Sequence, residues 1–353
     1  MNISIMRIID ANLNRILEGI RVLEDIARFS LNDENLGQHL KTIRHKVSAE
    51  TGNLGTALMQ YRDVEKDYGA DSIETRNKAD LTSLISANAR RAEEGLRVLE
   101  ECAKVKGMER INFSIFKEAR FNLYDIERQL TARILRIVKM SRISGLYAVV
   151  DAQYFKGRDP VRVTQSIIEG GAKLIQFRDK TSEKVNILKL AKKLRKICTH
   201  NDVMFIVNDH LDVAMATAAD GLHLGQHDLP LSLARRYLPI DTIIGCSVET
   251  LRQAQKARRD GADYVAAGAI FKTSTKIDAR VVGLELIKEI NRTIDIPIVA
   301  IGGINKTNMA KVLKAGADSV AVVSALLASR NIRNTTRELM AKFDEVKNNL
   351  PVI

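Results

Sequence analysis

Gln176, Arg178 and Lys180 alternate with period two through a short apolar run, Leu174-Ile-Gln-Phe177. Such alternation projects all three from the same side of a strand. Two cations and an amide then stand where a core would take Val or Leu. Desolvating each ion costs on the order of several kcal/mol unless an anion meets it. The plainer alternative is a strand end whose charges reach solvent or a structural carboxylate. Further polar groups recur downstream at regular intervals: Asn208-Asp209-His210, His223-Leu-Gly-Gln-His227-Asp228, Cys246-Ser247, Lys272-Thr273-Ser-Thr275-Lys276, Gly302-Gly303 and Val323-Ser324.

The residue types sort by chemistry. Gly302-Gly303 and Ser324 suit a phosphate bound through backbone N–H groups. Asp209 and Asp228 offer hard oxygen ligands for Mg2+, which takes one or two carboxylates and completes its shell with substrate phosphates and water. Arg178, Lys180 and Lys276 would meet a second, more highly charged phosphoryl group. Two phosphate sites and a metal point to a phosphate ester and a diphosphate reacting together. No nucleophile–base pair stands out, so positioning and leaving-group stabilisation should dominate. His210, His223 and His227 could be read as a zinc cluster with the aspartates. His223 lies between Leu222 and Leu224 in a strand, and a packed histidine outweighs that reading.

The elements that must hold these groups follow from hydrophobic periodicity. Strands are expected at 146–150, 174–177, 204–207, 221–224, 243–247, 264–270, 298–301 and 319–323, each followed by a helical stretch. Eight strand–helix alternations in residues 141–353 predict a (β/α)8 TIM barrel, whose chemistry collects at the C-terminal strand ends. Seven of the eight ends carry a polar or Gly-rich element. No dinucleotide fingerprint favours an open doubly wound sheet.

Residues 1–140 read differently. Ala11-Asn12-x-x-Arg15-x-x-Glu18-Gly19-x-Arg21-Val-Leu-Glu24 returns 76 positions later as Ala87-Asn88-x-x-Arg91-x-x-Glu94-Gly95-x-Arg97-Val-Leu-Glu100. Lys41 and Arg44 fall opposite Lys117 and Arg120 in the same register. Apolar residues at three- and four-residue spacing make each copy a pair of helices, the second spanning about 34–51 and 109–139. Two αα-hairpins stack into an all-α four-helix domain. Asn12, Arg15 and Glu18, with Asn88, Arg91 and Glu94, form polar stripes. These read either as an interhelical salt-bridge network that fixes the pairing or as a ligand site between hairpins, and the pattern alone favours the network. The long connector 53–78 carries Arg62, Asp63 and Asp67, and connectors of that length are usually functional or disordered. No P-loop is present.

Composition narrows the class. The 353 residues are 45% hydrophobic and 28% charged, ordinary for a globular protein of about two domains. No apolar run is long enough for a membrane span, and the first residues lack a signal-peptide core. Three scattered cysteines indicate neither a disulfide framework nor a zinc site. A cytoplasmic protein is expected, with a homo-oligomer allowed. Residues 1–140 hold 23 Lys/Arg and 21 Asp/Glu, whereas 141–353 hold 32 and 22. That basic excess, dispersed along helices and without Trp, suits small polyanionic ligands better than nucleic acid.

Taken together, the motifs of 141–353 resemble thiamin phosphate synthase, which joins hydroxymethylpyrimidine diphosphate to thiazole phosphate and releases pyrophosphate. The resemblance implies diphosphate and pyrimidine contacts from Gln176, Arg178 and Lys180, the family's Asn-Asp pair in Asn208 and Asp209 with Asn208 on substrate, and Mg2+ on Asp209 and Asp228. It implies Ser247 near the reacting carbon and leaving group. Lys276 falls on the pyrophosphate, and Thr273, Thr275, Gly303, Val323 and Ser324 fall on the thiazole phosphate. Lys272 stands where that family often has Pro, and His227 where it often has Glu. The N-terminal repeat, with Arg62-Asp63, Asp67 and Gly69, resembles the noncanonical hydroxymethylpyrimidine phosphate kinase, with Tyr68 replacing the usual Val. That likeness implies ATP as a co-substrate and a bifunctional chain. The competing expectations are a non-catalytic dimerisation scaffold for the helical domain and a thiazole tautomerase-like barrel. Arg178, Lys180 and Lys276 argue against the tautomerase.

Overall fold

The computed structural model describes residues 3–52, 58, 80–108, 111–273, 275 and 279–350. Arg62, Asp63, Asp67 and Lys276 lie outside the described residues. The chain divides into two compact units, Met1–Leu135 and Arg136–Ile353, and each has its own hydrophobic core.

The first unit holds helices α1 (Ile3–Asp25), α2 (Glu34–Gly52), α3 (Leu81–Cys102) and most of α4 (Phe113–Met140), with a π-helical turn at Ile26–Ser30. Asp80 caps α3 by accepting from Ser83 N at 2.7 Å. Helices α1 and α3 approach closely because each repeat supplies a glycine at the crossing. A Cβ on Gly19 would lie 2.7 Å from Asn88 O, and one on Gly95 2.7 Å from Ile16 Cγ1. The repeat also duplicates a buried ion pair. Arg44 Nε donates to Glu24 at 3.1 Å, and Arg120 Nη2 to Glu100 at 2.9 Å. Each pair joins the two helices of its own hairpin through Glu24 or Glu100, and neither involves the Asn12, Arg15 and Glu18 or Asn88, Arg91 and Glu94 stripes.

The second unit is a closed barrel of eight parallel strands in sequence order. They are β1 (Gly145–Asp151), β2 (Leu174–Arg178), β3 (Met204–Asn208), β4 (Gly221–Leu224), β5 (Ile243–Val248), β6 (Tyr264–Ala267), β7 (Ile298–Ile301) and β8 (Ser319–Val322). The intervening helices are α5 (Pro160–Glu169), α6 (Lys184–His200), α7 (Leu211–Ala216), α8 (Leu231–Tyr237), α9 (Leu251–Arg259), α10 (Gly283–Thr293) and α11 (Met309–Lys314). A short α12 (Ser324–Leu327) and α13 (Ile332–Asn348) close the ring. Strand β6 ends three residues earlier than the periodicity suggested. The chain then leaves its ladder but still follows β7, with Ile270 N donating to Ile301 O at 2.9 Å and Phe271 N to Gly302 O at 3.0 Å.

The barrel interior is packed by alternate residues, including Tyr147, Leu174, Ile206, Ile243, Tyr264 and Val299. Aspartates at the N-terminal ends of even strands close the bottom. Asp220, Asp263 and Asp318 accept from Phe205 N, Ile244 N and Ile298 N at 2.9, 2.7 and 2.9 Å. No described helix is long and apolar enough to cross a membrane.

Candidate active site

The interior parity that packs the barrel also decides which side chains reach its top. Along β1 the inward positions are 147, 149 and 151, and the register sets Asp151 beside Arg178 on β2. Asp151 is fully buried and forms an ion pair with Arg178 Nη1. It occupies the one strand end that the sequence reading left without a polar element. The anion that Arg178 needs in the folded protein is therefore supplied internally, as the plainer alternative held. The readable signal was there, because Asp151 has the same inward parity as Tyr147.

Above this pair lies a cavity of about 390 Å³. Gln176, Arg178, Lys180, Asn208, Asp209, Asp228 and Ser247 line one part of it, and Thr273, Thr275, Gly302, Gly303, Val323 and Ser324 another. All the described barrel residues expected to bind substrate or metal thus face one space. Lys180 Nζ reaches Asp209 Oδ2 at 2.9 Å. Asp209 itself has φ +60°, a left-handed conformation that Asp tolerates better than most residues. Asp228 Oδ2 accepts from Gly225 N at 2.7 Å. Burial, and then a hydrogen bond with Asp209, raise the Asp228 carboxyl above its ordinary pKa. Two carboxylates within hydrogen-bonding reach, one held protonated more readily than usual, fit a site for a hard divalent cation.

The three histidines take separate places. His210 is engaged by Lys184 Nζ at 2.9 Å and by Asp179 O at 3.1 Å. His223 is buried in the barrel, and His227 lines the cavity. Among the described residues, no group of three or more His, Cys, Asp or Glu side chains could hold a metal. Cys246 offers no thiolate nucleophile, since burial pushes its pKa up to about 11.

At the end of β7 the backbone comes close to the chain after β6. Gly302 and Gly303 have φ of +101° and +65°. A Cβ on Gly302 would lie 2.5 Å from Ala269 Cα, and one on Gly303 2.4 Å from Lys272 O. Asn308 Nδ2 donates to Gly303 O at 2.9 Å and ties down the turn. Opposite, Thr275 N donates to Thr273 Oγ1 at 3.2 Å, and Tyr154 Oη donates to Thr275 Oγ1 at 3.0 Å. Tyr154 is a second residue that sequence reasoning missed.

In the helical unit the polar stripes separate. Asn12, Arg15, Arg91 and Glu94 line a groove of about 370 Å³ together with Arg90. Asn12 and Asn88 donate to carbonyls of their own helices, Ile8 O at 2.8 Å and Leu84 O at 2.9 Å. Glu18 is exposed and Asn88 buried, and neither lines that groove. The duplication is not perfect. Glu93 stands where the first copy has Leu17. Burial, with the charge of Glu127, pushes the Glu93 carboxyl up to about 7.

A closed parallel barrel that gathers cations, paired carboxylates and a glycine cradle into one top-face cavity defines a class, the (β/α)8 enzymes of phosphate-bearing small molecules. The thiamine monophosphate synthase family model matches residues 146–326, and the ThiD2 family model matches residues 7–129. A thiamine-phosphate synthase of Synechocystis is 34% identical over 345 residues, which is 97% of both chains. One of Thermosynechococcus vestitus is 35% identical over 96% of this chain and 95% of its own. The thiamine phosphate pyrophosphorylase structure from Pyrococcus furiosus is 39% identical, with a TM-score of 0.55. It covers 59% of this chain and 98% of its own. The chain belongs to the thiamine-phosphate synthase family of transferases, and it carries a ThiD2-family region ahead of its barrel.

Proposed function

We propose that the barrel joins hydroxymethylpyrimidine diphosphate to thiazole phosphate, giving thiamin phosphate and pyrophosphate. The observation that carries this reading is the single cavity with a cation-and-carboxylate set on one side and the Gly302-Gly303 and Ser324 cradle on the other. Arg178 and Lys180 bind the diphosphate, with Lys276 assigned there by resemblance. The C–O bond to the diphosphate breaks heterolytically, leaving a resonance-stabilised pyrimidine methylene cation. The thiazole nitrogen supplies the electron pair for the new C–N bond. Backbone amides of the glycine turn, with Ser324, hold the thiazole phosphate and fix that nitrogen's approach. Asp209 and Asp228 would hold Mg2+, which supplies charge neutralisation of the departing pyrophosphate.

The test supplies the full chain with both substrates and Mg2+ and follows pyrophosphate release. No release from folded protein overturns the reading. Ser324→Ala is expected to raise KM for thiazole phosphate by about 10-fold, the worth of one charge-assisted hydrogen bond, with kcat little changed. A fall in kcat alone would place Ser324 on the chemical step instead.

The helical unit phosphorylates hydroxymethylpyrimidine phosphate with ATP in this reading, so that one cytoplasmic chain makes the diphosphate and then consumes it. The support is the polar groove of Asn12, Arg15, Arg91 and Glu94, together with the ThiD2-family match. Arg91→Ala in the full chain is expected to lower diphosphate formation by at least about 10-fold, while condensation of supplied diphosphate is untouched. Unchanged phosphorylation would move the site away from this groove. A native chain with no phosphorylation at all would leave a scaffold.

A further inference from the structure

A line of buried polar side chains crosses the barrel beneath the cavity and ends on Ser247. Gln176 Nε2 donates to Tyr147 Oη at 2.9 Å. Tyr147 Oη lies 2.8 Å from Tyr264 Oη, and Tyr264 Oη lies 3.0 Å from His223 Nδ1. His223 Nε2 then lies 2.9 Å from Ser247 Oγ. Five residues from five strands take part, and the first four are at least nine-tenths buried. An apolar core would be filled more cheaply by Leu or Val, since partly satisfied buried polar networks are costly. The backbone is adapted to the line as well. Tyr264 on β6 reaches His223 on β4 across the intervening strand at Gly245, its register partner. A Cβ on Gly245 would lie 2.0 Å from Tyr264 Cζ.

Hydrogen-bond accounting gives the line a direction. A phenol has one proton to donate, and a neutral imidazole has one donor and one acceptor nitrogen. Because Gln176 donates to Tyr147, the Tyr147 proton is available for Tyr264. Tyr264 then donates to His223 Nδ1, leaving the ring proton on Nε2 to be donated to Ser247 Oγ. We infer that Gln176, Tyr147, Tyr264 and His223 are positioning residues that hold Ser247 as a directed O–H donor into the cavity, aimed at the departing diphosphate oxygen. The inference rests on the condensation proposed above. Gln226 Nε2 fixes the same residue from behind by donating to Ser247 O at 2.6 Å. Burial pulls the His223 pKa down to about 4, so the ring stays neutral and keeps one acceptor nitrogen near neutral pH. That ring is also a poor base. The reverse arrangement, in which Ser247 donates to Nε2 as in a nucleophile–base pair, would spend the Ser247 proton inside the protein and leave none for the leaving group.

Two measurements on the full chain test this. Nitrogen-15 NMR of the histidine-labelled native protein, with His223 assigned by its loss in His223→Gln, is expected to show the proton on Nε2. A proton on Nδ1 overturns the inference whatever the enzyme catalyses. In kinetics, Tyr264→Phe removes the phenol donor and is expected to lower kcat about 10-fold, with KM for thiazole phosphate unchanged. Made on top of Ser247→Ala, the same substitution is expected to cost nothing further, because it acts through that hydroxyl. An equal loss in both backgrounds overturns the inference and marks Tyr264 as packing only. Failure of condensation in the native chain would sink the functional reading alone, and the tautomer would still be read. If Tyr264→Phe does not fold, the NMR result on native protein decides.

Discussion

Arg178→Ala is expected to lower kcat for pyrophosphate release by about 100- to 1,000-fold, the effect of removing one preorganised charge from a transition state that develops negative charge. Stability should fall in the same variant. Asp151 is fully buried against Arg178, and breaking a buried ion pair from one side costs about 3–5 kcal/mol. The two effects separate in the double variant Arg178→Ala/Asp151→Asn. Removing the orphaned charge should restore much of the thermal stability, while turnover stays low. Should turnover recover along with the melting temperature, Arg178 would be only the counter-ion of Asp151, and the diphosphate would lean on Lys180 and its neighbours.

That variant pair also marks what the sequence could and could not disclose. Period-two alternation exposed Gln176 and Arg178 as inward-facing, because a strand's side-chain direction is a local property. The eight-unit barrel was legible for the same reason, as was the 76-residue repeat. The partner of Arg178 was harder to read, since nothing near it in sequence is Asp151, 27 residues away on a neighbouring strand. The Tyr147–Tyr264 contact spans 117 residues and forms only through closure of the barrel. Each tyrosine alone reads as apolar filling. Gly245 likewise looks like an ordinary strand glycine until the Tyr264 ring is set across it. In the helical unit the polar stripe was legible but its use was not. Helical spacing put Asn12 and Asn88 near the apolar face, yet an asparagine there can bond its own i−4 carbonyl, and both do. Asn12 still lines the groove, beside the longer Arg15, Arg91 and Glu94 side chains, whereas Asn88 does not.

Gly302→Ala is expected to damage the thiazole phosphate side of the cavity about as severely as Arg178→Ala damages the diphosphate side. Position 302 has φ +101°, a conformation that costs a residue with a Cβ about 1–3 kcal/mol. The added methyl would also lie 2.5 Å from Ala269 Cα and 3.1 Å from Ile270 N. Those are backbone atoms that cannot rotate away, so overpacking adds a further ~1–3 kcal/mol. Relief requires the segment after β6 to move off the β7 end, breaking the Ile270 N–Ile301 O and Phe271 N–Gly302 O bonds that carry the chain toward Thr273. The phosphate cradle and the threonine loop would shift together. KM for thiazole phosphate is expected to rise by about 100-fold or more, with a melting temperature lower by about 4–24 °C for a barrel of this size. KM for the diphosphate should change far less, because Arg178, Lys180 and Asp209 stand on β2, β3 and the turns that follow them. Equal losses for both substrates would mean that the two halves of the cavity are not independent, and an unchanged melting temperature would mean that the turn accepts a Cβ after all.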